Sequence, residues 1–202
     1  LKNRLKIEII NILNKVISNA NSRNIIIPLS AGLDSRLIAS GLKHLKYNNV
    51  KCFSYGLKNN FESKASNIIA KKLDYQWKFI ELNNNKLHKF FNGKEFREYI
   101  NLCNDGCATQ SIQDLYPIKK LIKNGFISKS DIIVNGNSGD FITGGHIPNN
   151  YYEITNFKNK LQFIINEKFN KHYSLWNKLK SKENLNVVNN EINHQIQKIL
   201  KI

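Results

Sequence analysis

Short β-branched apolar runs alternate with amphipathic segments along the first two thirds of the chain, and this alternation constrains the fold most strongly. The clearest run, residues 25–29, contains three consecutive isoleucines, which is typical of a strand buried on both faces of a sheet. Further strands are predicted at residues 50–55, 77–82 and 131–135. Strands separated by helices indicate βαβ units with right-handed crossovers. The sequence therefore predicts an α/β fold, a three-layer αβα sandwich with a doubly wound, mainly parallel sheet.

Apolar residues at helical spacing occupy the intervals between these runs. Helices are predicted at residues 5–17, 34–46 and 62–73, with two or three further helical segments between residues 87 and 123. After Pro148 the chain is rich in Asn and Lys and keeps helical spacing. Because no Pro- or Ser-rich linker separates the two parts, we expect residues 149–202 to be a helical C-terminal segment of the same domain as residues 1–148.

The net charge of +16 invites a nucleic-acid interpretation. The excess is mostly Lys, which accompanies Asn and Ile throughout the chain and is typical of AT-rich coding sequences. Specific nucleic-acid binding more often uses Arg, and Arg occurs here only at Arg4, Arg23, Arg36 and Arg97. Nucleic acid therefore remains possible as a partner but is not favoured.

Cysteine content and the chain's beginning lead to an expectation about location. Three cysteines, an odd number, do not favour a disulfide framework or a zinc site, and no apolar stretch reaches membrane-spanning length. The chain begins at Leu1, contains no Met and lacks the pattern of a signal peptide. We expect a cytoplasmic protein without a membrane segment, and this chain to be part of a longer one.

The loop at residues 30–35, Ser-Ala-Gly-Leu-Asp-Ser, joins the first predicted strand directly to a helix. Small residues let the backbone approach a ligand closely, and a helix N-terminus attracts phosphate. Ser30 and Ser35 can donate hydroxyl hydrogen bonds to phosphate oxygens. Asp34 would repel phosphate unless it holds a magnesium ion bridging to it. The loop predicts a phosphate and magnesium site; a capped helix N-terminus without a ligand is the alternative.

This loop resembles the PP-loop, Ser-Gly-Gly-x-Asp-Ser, of the ATP pyrophosphatases, which cleave ATP to AMP and pyrophosphate. With the preceding residue it resembles the Leu-Ser-Gly-Gly-Leu-Asp-Ser form in the synthetase domain of asparagine synthetases. It lacks the features of the Walker P-loop and of the dinucleotide fingerprint. The resemblance implies an adenine nucleotide alpha hydrolase-like fold and catalytic roles for Asp34 and Ser35. It implies ATP or pyrophosphate contacts at Leu29, Ser30, Gly32, Asp34 and Ser35.

A second loop, at residues 135–145, reads Asn-Gly-Asn-Ser-Gly-Asp-Phe-Ile-Thr-Gly-Gly and follows the last predicted strand. It resembles the family's Ser-Gly-x-Gly-x-Asp-Glu-x-x-x-Gly-Gly segment, whose aspartate is the second magnesium ligand. The resemblance implies that Asp34 and Asp140 share Mg²⁺ and that both are catalytic. It also places Asn135 and Gly136 beside the nucleotide. A simple turn is the alternative for this loop alone.

The segment Phe53-Ser54-Tyr55-Gly56 resembles the end of the family's second strand. The residue before the glycine packs on adenine in that family, so the resemblance implies an adenine contact for Tyr55. The resemblance covers roughly residues 1–148, which we interpret as an asparagine-synthetase-like PP-loop domain, and none is seen beyond Pro148.

Several positions depart from the family pattern. Ala31 replaces the first PP-loop glycine, which is mild only if the backbone there has negative φ. Asn137 stands where asparagine synthetases have a glutamate that handles ammonia, and an amide cannot act as a general base near neutral pH. Phe141 replaces the glutamate after the second aspartate. His146 is either a substitute base or a surface histidine.

Taken together, the two loops predict an ATP-dependent ligase that adenylates a carboxylate or carbonyl substrate and then transfers nitrogen to it, with an amino acid or a sugar acid as substrate. The expected cofactors are ATP and Mg²⁺. Because no glutaminase segment is present, ammonia is expected from solution, from a glutaminase partner or from a further portion of the protein. The alternatives are a PP-loop enzyme that modifies RNA and a truncated or degenerate domain that binds nucleotide without turnover.

Overall fold

The computed structural model describes residues 2–107, 111–137, 139 and 147–200, and its strands and helices alternate through the first part of the chain. The strands are β1 (Ile25–Pro28), β2 (Val50–Gly56), β3 (Gln76–Glu81) and β4 (Ile132–Ile133). The helices are α1 (Lys2–Ala20), α2 (Leu33–His44), α3 (Phe61–Lys72), α4 (Asn84–Phe91), α5 (Lys94–Cys103), α6 (Leu115–Lys123), a 3₁₀ helix (Asn149–Glu153), α7 (Phe157–His172) and α8 (Lys182–Leu200).

All four strands are parallel and lie in the order β3-β2-β1-β4. The predicted parallel α/β fold is therefore confirmed. β4 is shorter than predicted, with two residues paired to β1, although Val134 N still donates to Ile26 O at 2.9 Å. β2 and β3 lie on one side of β1, and β4 lies on the other side. The crevice between the carboxyl ends of β1 and β4 is thus the topological switch point, where open α/β sheets bind ligands.

Side-chain alternation along β1 divides the core between the two faces of the sheet. Ile25 and Ile27 pack on one face, with Leu13 of α1 and Leu42 of α2. Ile26 packs on the other face; the buried residues there include Phe53, Tyr116, Leu121 and Ile127, with Leu87 and Phe90 of α4 packed against them. The sheet therefore lies between two helical layers, as the sequence predicts.

Asparagine begins several of the helices. Asn60 accepts a hydrogen bond from Ser63 N at 2.7 Å, and Asn83 accepts from Asn85 N at 3.1 Å. Each side-chain oxygen satisfies an amide of the first turn that has no partner within its helix. The abundance of Asn thus has a local structural use.

The chain forms two compact units, Leu1–Asn92 with Ile112–Asp140, and Gly93–Ser111 with Phe141–Ile202. The first contains the sheet. In the second, α7 contacts α8. Phe169 is buried there, and its ring stacks on Tyr173 with 4.9 Å between centroids. The predicted boundary near Pro148 stays a prediction.

Candidate active site at the switch point

The two loops singled out by the sequence both lie at the carboxyl edge of the sheet. The loop at residues 30–35 follows β1 and leads into α2, and the loop that starts at Asn135 follows β4. Because β1 and β4 are paired neighbours, the two loops emerge side by side at the switch point. The first loop and the part of the second loop up to Asp140 belong to the first compact unit.

Hydrogen bonds within the first loop hold it in shape. Ser30 N donates to Ser35 Oγ at 3.1 Å, and the two serine hydroxyl oxygens are 3.1 Å apart. Gly32 N donates to Ser30 Oγ at 3.0 Å. Two hydroxyls carry two protons, and the bond between the serines uses one of them. The other hydroxyl proton can point towards a phosphate oxygen without disrupting these bonds.

The N-terminus of α2 begins at this loop without a capping side chain. Gly32 is the N-cap residue, with φ −71° and ψ 156°, and offers no acceptor to the first-turn amides. An anion at this position would accept from those amides and interact favourably with the helix dipole. Arg36 Nε donates to Gly32 O at 3.1 Å, which holds a guanidinium beside the loop. Both features favour a phosphate site over a helix capped by its own side chains.

The second loop packs directly against the first. A Cβ placed on Gly136 would lie 2.8 Å from both Asp34 Cβ and Ser35 N. A Cβ on Gly139 would collide with the carboxylate of Asp34. Only glycine lets the two backbones come this close. Gly139 N also donates to Gly136 O at 3.1 Å, which closes the turn between them.

One side chain of the type that binds magnesium, the carboxylate of Asp34, lies at this contact. Asp34 is partly exposed, and its carboxylate abuts Gly139, the residue that precedes Asp140 in the chain. Carboxylate oxygens together with phosphate oxygens are the ligands that Mg²⁺ usually takes. Asp140 lies outside the described residues. Among the described residues no cluster of three or more His, Cys, Asp or Glu side chains could hold a metal ion.

The substitution at Ala31 is compatible with the loop. Ala31 is not among the non-glycine residues with positive φ, so its backbone lies where any L-residue is tolerated. Replacing the family's glycine by Ala31 therefore introduces no backbone strain. Under this condition the sequence predicts the replacement to be mild.

Tyr55, the predicted adenine contact, stands at the carboxyl end of β2 with its side chain half-buried. The carboxylate of Asp114, the N-cap residue of α6, lies near the Tyr55 hydroxyl. Burial, followed by this carboxylate and the charge of Glu62, raises the pKa of Tyr55 well above its usual value.

The remaining predicted site residues differ in their surroundings. The Leu29 side chain is 1% exposed and packs in the core, while Leu29 N donates to Phe53 O at 2.8 Å. Asn135 is exposed, and its Oδ1 accepts from Asn137 N at 3.3 Å. The nucleotide contacts of Leu29 and Asn135 stay predictions. His146 and Phe141 lie outside the described residues.

The comparison with family models decides the classification. The model of the asparagine synthase family matches residues 21–199, which is most of the chain. The chain belongs to the asparagine synthase family. The match extends well past Pro148, where the motifs show no resemblance. Short motifs miss this C-terminal part because it contains no loop rich in glycine and aspartate.

Comparisons with individual proteins add little to this family assignment. The chain is similar to the solved structure of the NH3-dependent NAD synthetase from Campylobacter jejuni subsp. jejuni NCTC 11168 in complex with the nitrate ion. The identity is 11%, the TM-score is 0.41, and the alignment covers 97% of this chain and 95% of that one. None of the curated proteins matches the chain.

Membership of the asparagine synthase family supports an ATP-utilising PP-loop enzyme of the adenylating, ligase type. No helix in the described part of the chain has the length and apolar character needed to cross a membrane.

Proposed function

We propose that this protein is an amide-forming ligase that adenylates a carboxylate on an amino acid or a sugar acid and then transfers nitrogen to it. The contact of Gly136 and Gly139 with Asp34 and Ser35 carries this proposal. It joins two loops of the expected chemistry at the sheet edge where ligands bind. The family match supports the ATP-dependent part of the reaction.

In the proposed reaction, ATP lies across the strand ends with its pyrophosphate at the N-terminus of α2. A substrate carboxylate oxygen attacks the α-phosphorus, the bond between the α-phosphorus and the bridging oxygen breaks, and pyrophosphate leaves. The loop amides, one serine hydroxyl and Arg36 would stabilise the charge on the leaving group. Mg²⁺ held by Asp34 and Asp140 would neutralise part of that charge. Positioning by the preformed loop would supply much of the remaining rate enhancement.

Nitrogen transfer completes the proposed reaction. Ammonia or an amine attacks the acyl carbon of the adenylate, and AMP leaves. Asn137, which takes the place of the family's glutamate, is exposed and carries no basic group near neutral pH. The nucleophile must therefore arrive unprotonated or lose its proton to another group. We propose that an ammonia-supplying partner or domain delivers it.

Pyrophosphate exchange tests the adenylation step directly. The wild type should exchange labelled pyrophosphate into ATP in the presence of a mixture of amino acids or sugar acids that contains its substrate. Hydroxylamine should trap the adenylate as a hydroxamate. Asp34→Asn should abolish both signals, whereas Asp74→Asn should retain them. Asp74 is a matched control because it is exposed in a turn with φ 56°, which Asn tolerates. Equal activity in the two variants would refute the proposal.

The net charge of +16 favours one alternative, a PP-loop enzyme that acts on RNA. Binding of a structured RNA at physiological salt, with RNA-dependent release of pyrophosphate, would support that alternative. Loss of RNA binding between about 50 and 200 mM salt would indicate non-specific attraction instead.

A further inference from the structure

The amino edge of the sheet, opposite the candidate site, is formed by four loops of the first compact unit. Each loop follows a helix and leads into a strand, and the four occupy residues 21–24, 45–49, 73–75 and 124–131. Because all four strands are parallel, these loops lie together at the edge where the strands begin. The amino edge is therefore one surface, distinct from the edge that carries the two loops of the candidate site.

Exposed cations are concentrated at this amino edge. Six exposed Lys and Arg residues lie in the four loops or in the last turns of the helices before them: Arg23, Lys46, Lys71, Lys72, Lys123 and Lys129. None of the six forms an ion pair with a described residue. Asp74 and Asp131 share the edge. The amino edge is thus strongly positive, whereas Asp34, Glu62 and Asp114 offset the basic residues of the carboxyl edge.

Helix stability explains only part of this charge. Three of the lysines lie in the last turns of α3 and α6, where a cation interacts favourably with the helix dipole. Arg23 donates to Ala20 O at 2.9 Å and to Asn19 O at 2.8 Å, which satisfies carbonyls at the end of α1. Lys46 and Lys129 lie in loops, and neither side chain forms a hydrogen bond or ion pair with a described residue. Their charges are available to a partner.

Hydrogen bonds between the loops hold the amino edge in shape. The Tyr47 hydroxyl donates to Arg23 O at 2.6 Å, which joins the second loop to the first. Asn24 Nδ2 donates to Asp131 Oδ1 at 3.0 Å, and Ser128 N donates to Asp131 Oδ2 at 2.8 Å. Asp131 thus uses both carboxylate oxygens within the edge. A surface fixed in this way loses little conformational freedom when a partner binds.

The neutral residues of the amino edge indicate the chemistry of its partner. Between the cations lie exposed amides and hydroxyls, including Asn21, Asn48, Asn49, Asn124 and Ser130. None of the exposed large hydrophobic residues lies in the four loops, all of which the structure describes. Protein interfaces bury an apolar core, and amphipathic membrane-binding surfaces insert apolar side chains. Nucleic-acid backbones are instead bound by Lys, Arg, Asn and Ser, and amides and hydroxyls can also bond the 2′-hydroxyls of RNA.

We propose that the amino edge is a docking surface for the sugar–phosphate backbone of RNA, bound independently of base sequence. Four strands span about 14 Å, and with one phosphate per about 3.4 Å of strand the edge can contact about four phosphates. The scarcity of Arg disfavours base-specific binding, but Lys binds phosphate as a point charge. Because this surface lies opposite the phosphate loop, RNA bound there leaves the candidate site open.

The test measures binding of fluorescein-labelled oligouridine, long enough to span the edge, to the full chain by fluorescence anisotropy. About four phosphate contacts predict that the logarithm of the association constant falls with the logarithm of salt concentration with a slope of about −3. A triple variant, Lys46→Gln with Lys123→Gln and Lys129→Gln, should weaken binding at low salt by about tenfold or more and bring this slope close to about −1.

The matched control replaces three exposed lysines of the carboxyl edge, Lys58, Lys64 and Lys86, by Gln. It removes the same charge from the net +16 but should change the affinity for oligouridine by less than about threefold, since distant charges are screened. Equal losses in the two triple variants would show that net charge alone attracts RNA and would overturn the docking surface. Both variants should melt near the wild-type temperature, because the replaced side chains are exposed.

Lysine footprinting locates the bound RNA on the wild type, without any substitution. Oligouridine should protect Lys46 and Lys129 from acetylation more than Lys58 and Lys64, as measured by mass spectrometry. Equal protection would overturn the inference, as would displacement of the RNA by ATP at constant magnesium and ionic strength. Oligodeoxyuridine bound as tightly as oligouridine would overturn RNA as the partner, and so would polyglutamate or phosphatidylserine vesicles bound more tightly. None of these measurements depends on adenylation, so the proposed function stands or fails separately.

Discussion

Replacing Gly136 by alanine should separate the two loops of the candidate site. The new Cβ would lie 2.8 Å from Asp34 Cβ and 2.8 Å from Ser35 N, whereas carbon atoms pack favourably at about 3.5–4.0 Å. One of its neighbours is a backbone nitrogen at the start of α2, so the clash cannot be relieved by rotating a side chain. A loop must therefore move by about 1 Å, estimated from the difference between these distances.

Overpacking of this kind costs about 1–3 kcal/mol. If the nucleotide requires the two loops in contact, this cost should appear as a loss of ATP affinity of about five- to 150-fold. If part of this cost lowers the free energy of unfolding, the melting temperature should fall by about 2–4 °C per kcal/mol. Calorimetric titration of ATP with magnesium, together with a thermal melt, measures both quantities on the same sample.

Gly125→Ala is the control for this substitution. Gly125 has φ +67° with open space around its Cβ position, so alanine there costs about 1–2 kcal/mol of backbone strain without a steric clash. It should lower the melting temperature and leave the dissociation constant for ATP unchanged. An ATP affinity for Gly136→Ala equal to that of the wild type would refute the reasoning that the contact between the loops shapes the site.

Three further predictions follow from the described contacts. Asp34→Asn should weaken magnesium-dependent ATP binding by about tenfold or more without lowering the melting temperature, since it removes a charged ligand from a partly exposed position. Arg36→Gln should weaken the binding of pyrophosphate by about tenfold and the binding of AMP by less than about twofold in competition assays. Equal losses of affinity for the two ligands would contradict a contact between Arg36 and pyrophosphate. Burial raises the pKa of Cys52 from 9.0 to about 12, so a thiol reagent at pH 8 should modify exposed Cys103 but spare Cys52 until the protein unfolds. Because the unfolded thiol ionises first, stability should fall between pH 9.0 and about 12, and Cys52→Ala should reduce that fall.

Local patterns in the sequence predict most of the sheet. The sequence predicts β1 at residues 25–29, and this strand spans Ile25–Pro28. It predicts β2 at residues 50–55, and this strand spans Val50–Gly56. Consecutive β-branched residues and closing glycines are local signals, so no tertiary information is needed to find them. The strand order is different, since it depends on which strands pair over long separations. β4 is shorter than the predicted run at residues 131–135, since its pairing with β1 covers only Ile132 and Ile133.

Residue patterns alone predict the candidate site only where it is contiguous in the chain, whereas the family resemblance implies that the two loops meet. The Asp34 loop has a recognisable composition, and the structure describes it in full. The approach of Gly136 to that loop joins residues from different crossovers. Chain topology creates such contacts, and no spacing rule within one segment reveals them. Asp140 stays a prediction from resemblance.

Magnesium-dependent ATP binding is the most direct test of the two-loop site. The wild type is titrated with ATP by calorimetry, with and without magnesium, beside Asp34→Ala and Asp140→Ala. We predict that the wild type binds ATP only with magnesium and that each substitution lowers the affinity by about tenfold or more, since each removes a charged magnesium ligand. Failure of the wild type to bind ATP, or full binding by both variants, would contradict the site.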